Sequence, residues 1–259
     1  KELFRGRRKA GRIVGLVLTL ALAVSLLSGC GQSKERLTFG TGGTAGTYYS
    51  YGGVLAQYIT NNTNVKVTAV STGGSKANLQ SVQDGDFQLG FVQSDVMAYA
   101  WDGVRAFEQD GATHDFRTLG GLYAETVQLF TMDPDIKTVD DLKGKSVSIG
   151  AANSGVYFNA LDVLNAGGIT PDDIQPQYLS FEDSKESLKD GKIDAAFIVA
   201  GAPTTAITEL ATTNGVYMIN IDGAIRDSIL SDCPYYTSYQ IPAGTYPGQD
   251  EPVETITVK

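Results

Sequence analysis

From Arg36 onward the apolar positions come in short runs of strand length, each leading through a glycine-rich turn into apolar residues at helical spacing. Leu37-Thr38-Phe39 runs into residues 40–47. Tyr48, Tyr51, Leu55, Tyr58 and Ile59 then recur on a helical period until Asn61-Asn62. Val65, Val67 and Ala69 alternate as a strand. They lead through residues 71–75 to a short helix from Lys76 that carries Leu79 and Val82 and stops at Gly85. Residues 87–92 form an apolar run, after which Ser94 or Asp95 can cap a helix through Trp101.

A second series opens with a strand at residues 127–132. It continues with a helical turn at 139–145, a strand at 146–149, and a helix at 156–166 closed by Gly167-Gly168. Thr170-Pro171 starts a short capped helix. Ser180 with Asp183 opens another that Gly191 closes, and a buried strand (193–199), a helix (203–211) and a strand (216–221) follow. Strands alternating with helices predict βαβ units on mainly parallel sheets. Two series predict two α/β lobes, at 37–122 and 123–235, with the junction near residues 120–126. The Tyr- and Pro-rich stretch from Cys233 and the alternating segment from Val253 predict a return crossing into the first lobe over residues 236–259. That alternation ends without a cap, so further C-terminal sequence is expected.

Three polar, glycine-rich loops, at residues 40–47, 72–75 and 150–155, each leave a strand and enter a helix. Glycine lets backbone approach a ligand closely, and free N–H groups at a helix start suit a carboxylate or phosphate. In open α/β sheets ligands lie outside the carboxyl ends of the strands, where such loops sit. Any βα loop favours glycine and Ser/Thr caps, so it is the set of three that points to a binding cleft. The first loop imitates a dinucleotide fingerprint with one residue too many. Val70-Ser71-Thr72 supplies no acid at the next strand end, and Thr47 stands where a phosphate-binding loop needs lysine. Tyr51 shares a face with Leu55 and is expected in the core, leaving Tyr48 or Tyr49 for a pocket wall.

The ends of the chain and its charge add a location. Six basic residues and one acid in residues 1–12 precede an uncharged apolar run of fifteen residues at 13–27, then Leu27-Ser28-Gly29-Cys30. This is the layout of a secretory signal peptide over residues 1–29, and the last four residues resemble a bacterial lipobox that would lipidate Cys30. Residues 30–36 then read as a polar tether. Without the leader the chain keeps 14 Lys+Arg against 28 Asp+Glu, a net charge of −14. Such a surface has no electrostatic footprint for nucleic acid. The single histidine, His114, lies in a polar stretch, and Cys233 would be the one remaining thiol. A Ser-His-Asp triad, a Cys/His pair and a zinc site therefore lack their parts. The expectation is a non-enzyme without cofactor or metal.

The segments 39–49, 71–79, 84–95, Leu122-Tyr123-Ala124-Glu125, 140–155, 190–197 with Gly201 and Pro203, and Ile241-Pro242-Ala243-Gly244-Thr245-Tyr246 together resemble the TAXI family. These are the extracytoplasmic receptors of tripartite ATP-independent periplasmic (TRAP) transporters. The resemblance spans nearly all of residues 37–259. It implies a two-lobed periplasmic-binding-protein fold, type II-like, that closes on a glutamate, glutamine or dicarboxylate and delivers it to a membrane permease. It departs at the third loop, where Asn153-Ser154-Gly155-Val156-Tyr157 stands for the family's Gly-Ser-Gly followed by Thr and often Glu. No arginine lies in the three loops, so a carboxylate is expected on backbone N–H groups and Ser/Thr/Gln side chains. The expected site takes Gly43, Thr44, Thr47 and Tyr48 from the first loop and Thr72, Gly74, Ser75 and Asn78 from the second. Gln93 and Ser94 join them at the third strand end, and Ser154 and Gly155 close from the second lobe. The expected partners are a small anionic solute, a TRAP-type permease and, through Cys30, the membrane, with the receptor itself a monomer. A ligand-sensing lipoprotein of the same fold that feeds a signalling partner is the alternative.

Overall fold

The computed structural model of the chain describes residues 34–152 and 154–258. The leader, Cys30 and most of the tether lie outside those residues. The tether ends earlier than expected, because β1 spans Glu35–Gly40. Glu35 and Arg36 are exposed, so they join the strand through backbone alone, and an apolar pattern reports only burial.

The first lobe carries a three-stranded sheet in the order β2 (Val65–Val70), β1, β3 (Leu89–Gly90). β1 and β3 run parallel, with Phe39 beside Leu89. Three helices follow the strands: α1 (Thr47–Asn62), α2 (Ser75–Gln83) and α3 (Ser94–Asp102). Ala56 of α1 packs with Phe39, Val67 and Phe91. Leu79 of α2 joins Val96 and Tyr99 of α3 in a separate cluster. Tyr51 is not core: it is 43% exposed, and its ring lies 6.2 Å from Phe91 and 6.3 Å from Tyr123 in a small aromatic group.

The second lobe holds seven strands: β4 (Glu125–Thr131), β5 (Ser146–Ser148), β6 (Gln175–Gln177), β7 (Ala195–Ala200), β8 (Tyr217–Ile219), β9 (Tyr236–Ile241) and β10 (Val253–Val258). Their order is β6-β5-β7-β4-β10-β9, with β8 also on β4. β7 accompanies β4 along its length, and β10 and β8 divide its other edge between the two ends. Only the pairings of β5 with β6 and β7 are parallel. The larger sheet is thus mixed, not mainly parallel. β9 and β10 meet through a short connection, and β4 enters from the first lobe, so neither pairing comes from a βαβ crossover, the connection that makes strands parallel. Residues 236–258, expected to cross back into the first lobe, instead place β9 and β10 in this sheet, with Val258 beside Glu125 where the chain enters it.

Side-chain alternation fills both faces of the larger sheet. Val127, Leu129, Phe197 and Val199 face α4 (Gly155–Ala166) and α7 (Gly223–Asp232). Phe130, Ala196 and Ile198 face α5 (Phe181–Lys189) and α6 (Thr205–Asn214). A sheet covered on both sides explains why β7 reads as an unbroken apolar run. Among the described residues no helix is long and apolar enough to cross a membrane.

Candidate functional site

The loops that follow β1, β2 and β5 meet around a cleft between the lobes, the kind of concave site that takes a small solute. Four helices begin at its wall: α1 after Gly46, α2 after Gly74, α4 after Ser154 and α5 after Ser180. Ser154 and Ser180 accept hydrogen bonds from Tyr157 N and Asp183 N, capping α4 and α5 with their own side chains. Gly46 and Gly74 offer no side-chain cap, so first-turn N–H groups of α1 and α2 remain for a ligand. Gly74 sits at φ 101°, ψ −152°, a conformation essentially confined to glycine, and this bend turns the second loop into α2.

Of the residues expected at the site, Gly43, Thr47 and Tyr48 line the cleft from the first loop and α1. Thr72, Gly74 and Ser75 line it from the second loop, and Gln93, Ser154 and Gly155 complete the set. Three do not line it. Thr44 points to solvent. Asn78 is fully buried beneath the loops, where its amide donates to Thr41 O at 2.7 Å and Phe91 O at 2.8 Å, tying the ends of β1 and β3 together. Ser94 starts α3 behind Gln93. Thr72 lines the cleft, yet its hydroxyl donates to Thr41 O and accepts from Gly74 N, which braces the loops. Tyr48 stacks on Phe91 at 4.9 Å and lines the cleft, whereas Tyr49 is 39% exposed.

Several lining residues lay outside that expectation: Leu179 before α5 and Phe181 at its first position, Val199 and Ala200 at the end of β7, and Glu125 at the start of β4. Glu125 is 6% exposed. Burial pushes its carboxyl up to about 8, the charge of Asp95 adds to the rise, and the Tyr48 hydroxyl and Gln93 amide oppose it. Among the described lining residues none is Lys, Arg or His.

A buried polar chain runs from the cleft across the lobes. Gln93 Nε2 donates to Asn159 Oδ1 at 3.0 Å, and Asn159 Nδ2 donates to Asp95 Oδ2 and the Tyr236 hydroxyl. Tyr236 donates to Asp162 Oδ2, and Asp162 is gripped by both Nη atoms of Arg105. Burial raises the Asp95 carboxyl to about 6, against the hydrogen bonds it accepts from Val96 N and Asn159. Among the described residues no group of three or more His, Cys, Asp or Glu gathers to hold a metal.

Residues 39–259 match the NMT1-like family. The alkanesulfonate-binding protein of Xanthomonas axonopodis pv. citri bound to MOPS is similar at 21% identity, over 71% of this chain and 59% of that one, with a TM-score of 0.51. A Bordetella bronchiseptica RB50 protein is similar at 17% identity over 72% and 56%, TM-score 0.53. The substrate binding protein of an amino acid ABC transporter aligns over 86% and 85% at 13% identity, TM-score 0.50. At these identities the likeness shows the two-lobed periplasmic binding fold. This chain spans 59% of the length of the alkanesulfonate-binding protein.

Proposed function

The chain belongs to the NMT1-like family, and on that footing we propose that it is an extracytoplasmic receptor for a small carboxylate-bearing solute. The solute is an amino acid or dicarboxylate of glutamate-like size, and the receptor hands it to a TRAP-type membrane permease. The observation that carries this reading is the meeting of four helix starts at one cleft with no basic side chain among its described lining residues. Each helix start carries partial positive charge, and α1 and α2 add first-turn N–H groups that no side chain caps. Such a site holds an anionic group by backbone and hydroxyl donors. The resemblance in the glycine-rich loops and in Leu122-Tyr123-Ala124-Glu125 supports the permease as partner. The lipobox-like Leu27-Ser28-Gly29-Cys30 supports a lipid anchor at Cys30. On that account Cys30→Ser in the expressing cell moves the protein from the membrane fraction to the soluble one, and an unchanged distribution refutes the anchor.

Thermal unfolding against a panel of amino acids and dicarboxylates tests the receptor reading. A solute that binds only the folded protein adds about 2.7 kcal/mol at 100 times its dissociation constant. Ser75→Ala and Gln93→Ala should each fold and weaken binding of that solute by roughly tenfold, the worth of one hydrogen bond to a charged group. Unchanged affinity in both variants would remove these residues from the site.

A further inference from the structure

Glu125 is the one carboxylic acid among the described residues lining the cleft. It begins β4, where the chain passes from one lobe to the other, and it is almost wholly buried. Tyr48 from α1, Tyr123 from the segment before β4 and Gln93 before α3 reach it as hydrogen-bond donors, and the charge of Asp95 at the start of α3 opposes its ionisation. None of these is a cation. A buried acid is normally matched by a positive partner or kept neutral, and here the space beside it is the cleft itself. The Tyr48 and Tyr123 rings stand 6.4 Å apart, edge to face, and aromatic rings attract cations.

We propose that Glu125 is the specificity residue of the cleft and receives the ammonium group of the solute. The site thereby takes amino-acid zwitterions in preference to dicarboxylates. This rests on the receptor reading and sharpens it: the helix starts hold the carboxylate and Glu125 holds the ammonium. The empty site keeps its proton at neutral pH, since burial holds the Glu125 carboxyl up at about 8. An arriving ammonium displaces that proton to solvent and pairs with the carboxylate left behind, so one proton leaves for each solute bound. A dicarboxylate releases no such proton, because the proton stays on Glu125 as a hydrogen-bond donor to the second carboxylate.

The test is calorimetric titration of the wild-type protein at pH 7 with L-glutamate, L-glutamine, 2-oxoglutarate and succinate. Each titration is run in two buffers of different ionisation enthalpy. The expected result is binding of an amino acid with net release of protons, and affinity rising up to about tenfold per pH unit below the Glu125 value. Glu125→Gln should lose about 100-fold in affinity for that amino acid and all of the proton release. Binding of an amino acid without proton release overturns the inference, as does preferred binding of 2-oxoglutarate or succinate. Either outcome leaves the receptor reading intact. Binding of no member of the panel overturns both. The buffer comparison on wild-type protein remains decisive even where Glu125→Gln fails to fold.

Discussion

The unfolding free energy of the ligand-free protein should fall as pH rises from about 4 to 8. Asp95 and Glu125 carry the effect, since burial makes both carboxyls harder to ionise in the folded chain, raising them from 3.8 to about 6 and from 4.5 to about 8. Below pH 3.8 both groups hold their protons, folded or unfolded, and neither opposes folding. As pH climbs through the unfolded values the unfolded chain ionises freely and the folded chain does not, so folding loses ground until each folded value is passed. One unit is worth about 1.4 kcal/mol, so the full losses are about 3 kcal/mol from Asp95 and about 5 kcal/mol from Glu125. Against a typical stability of about 5–15 kcal/mol, even half of this shifts a urea midpoint plainly. Asp141 and Asp173 act with the opposite sign. Hydrogen bonds from Lys137 N and Thr138, and from Thr170, lower their carboxyls. What they contribute is present above the unfolded value and lost on acidification. Stability should therefore peak on the mildly acidic side. Urea unfolding of wild type, Asp95→Asn and Glu125→Gln at pH 4, 6 and 8 checks the account. Glu125→Gln should flatten the profile above pH 6, and Asp95→Asn should flatten it between 4 and 6. Parallel profiles in all three proteins would show that neither acid is responsible, because repulsion across the acidic surface is common to them all.

A fold that keeps two costly acids needs a return for them, and their positions indicate one. Glu125 lines the cleft, and Asp95 stands behind Gln93 in the polar chain that passes through Asn159 and Tyr236 to the Arg105–Asp162 pair. Gln93, Asp95 and Arg105 belong to the first lobe, whereas Asn159, Asp162 and Tyr236 belong to the second. The same bonds that hold Gln93 at the cleft wall thus also hold one lobe to the other. A wholly apolar contact would be cheaper but would carry no directional link between the contents of the cleft and lobe position.

The elements that were legible in the sequence are those whose local chemistry is complete. Ser180 caps α5 where its spacing to Asp183 implies, whereas Ser154, expected as a ligand contact, also caps α4. The pairs Thr138/Asp141 and Thr170/Asp173 form reciprocal caps. The buried run of β7 shows because both its faces are covered. What escaped reading depends on distant partners. β6 contains Pro176, which argues against a strand, and it is tolerated because β6 lies at the edge of the sheet. α7 fully buries only Ile229, with Ile225 and Leu230 partly buried beside it, so its apolar stripe is short. β9 has buried ends and an exposed middle, which hides its alternation. At the site, glycine and hydroxyl residues in the loops gave the cleft its legible half. Asn78 carries the same polar signature as a ligand donor, yet both its amide bonds go to backbone below the loops. Glu125 follows Leu122-Tyr123-Ala124 and has no local feature that separates a buried acid from an exposed one. Its burial arises only when α1, the start of α3 and β4 come together.

Gly155→Ala should damage binding through a single collision. Gly155 is the first residue of α4 and has no positive φ, so the backbone itself accepts alanine, which in a helix gains up to about 1 kcal/mol over glycine. A Cβ built there falls on the amide oxygen of Gln93 and 2.5 Å from the carbon that bears it. Gln93 is 3% exposed and is fixed by its bond to Asn159 at 3.0 Å, so it cannot swing aside freely. Overpacking of this kind costs about 1–3 kcal/mol. Displacing Gln93 also breaks its bonds to Asn159 and Glu125 at the cleft wall, so affinity for the cognate solute should fall by roughly 10- to 100-fold. The decisive comparison puts the same substitution into Gln93→Ala. There the obstacle is gone, and Gly155→Ala should become neutral or stabilising by up to about 1 kcal/mol. Urea unfolding of the four proteins in this cycle reads the change of sign directly. If Gly155→Ala costs the same stability with and without the Gln93 side chain, the contact between the third loop and Gln93 is not what makes glycine necessary there.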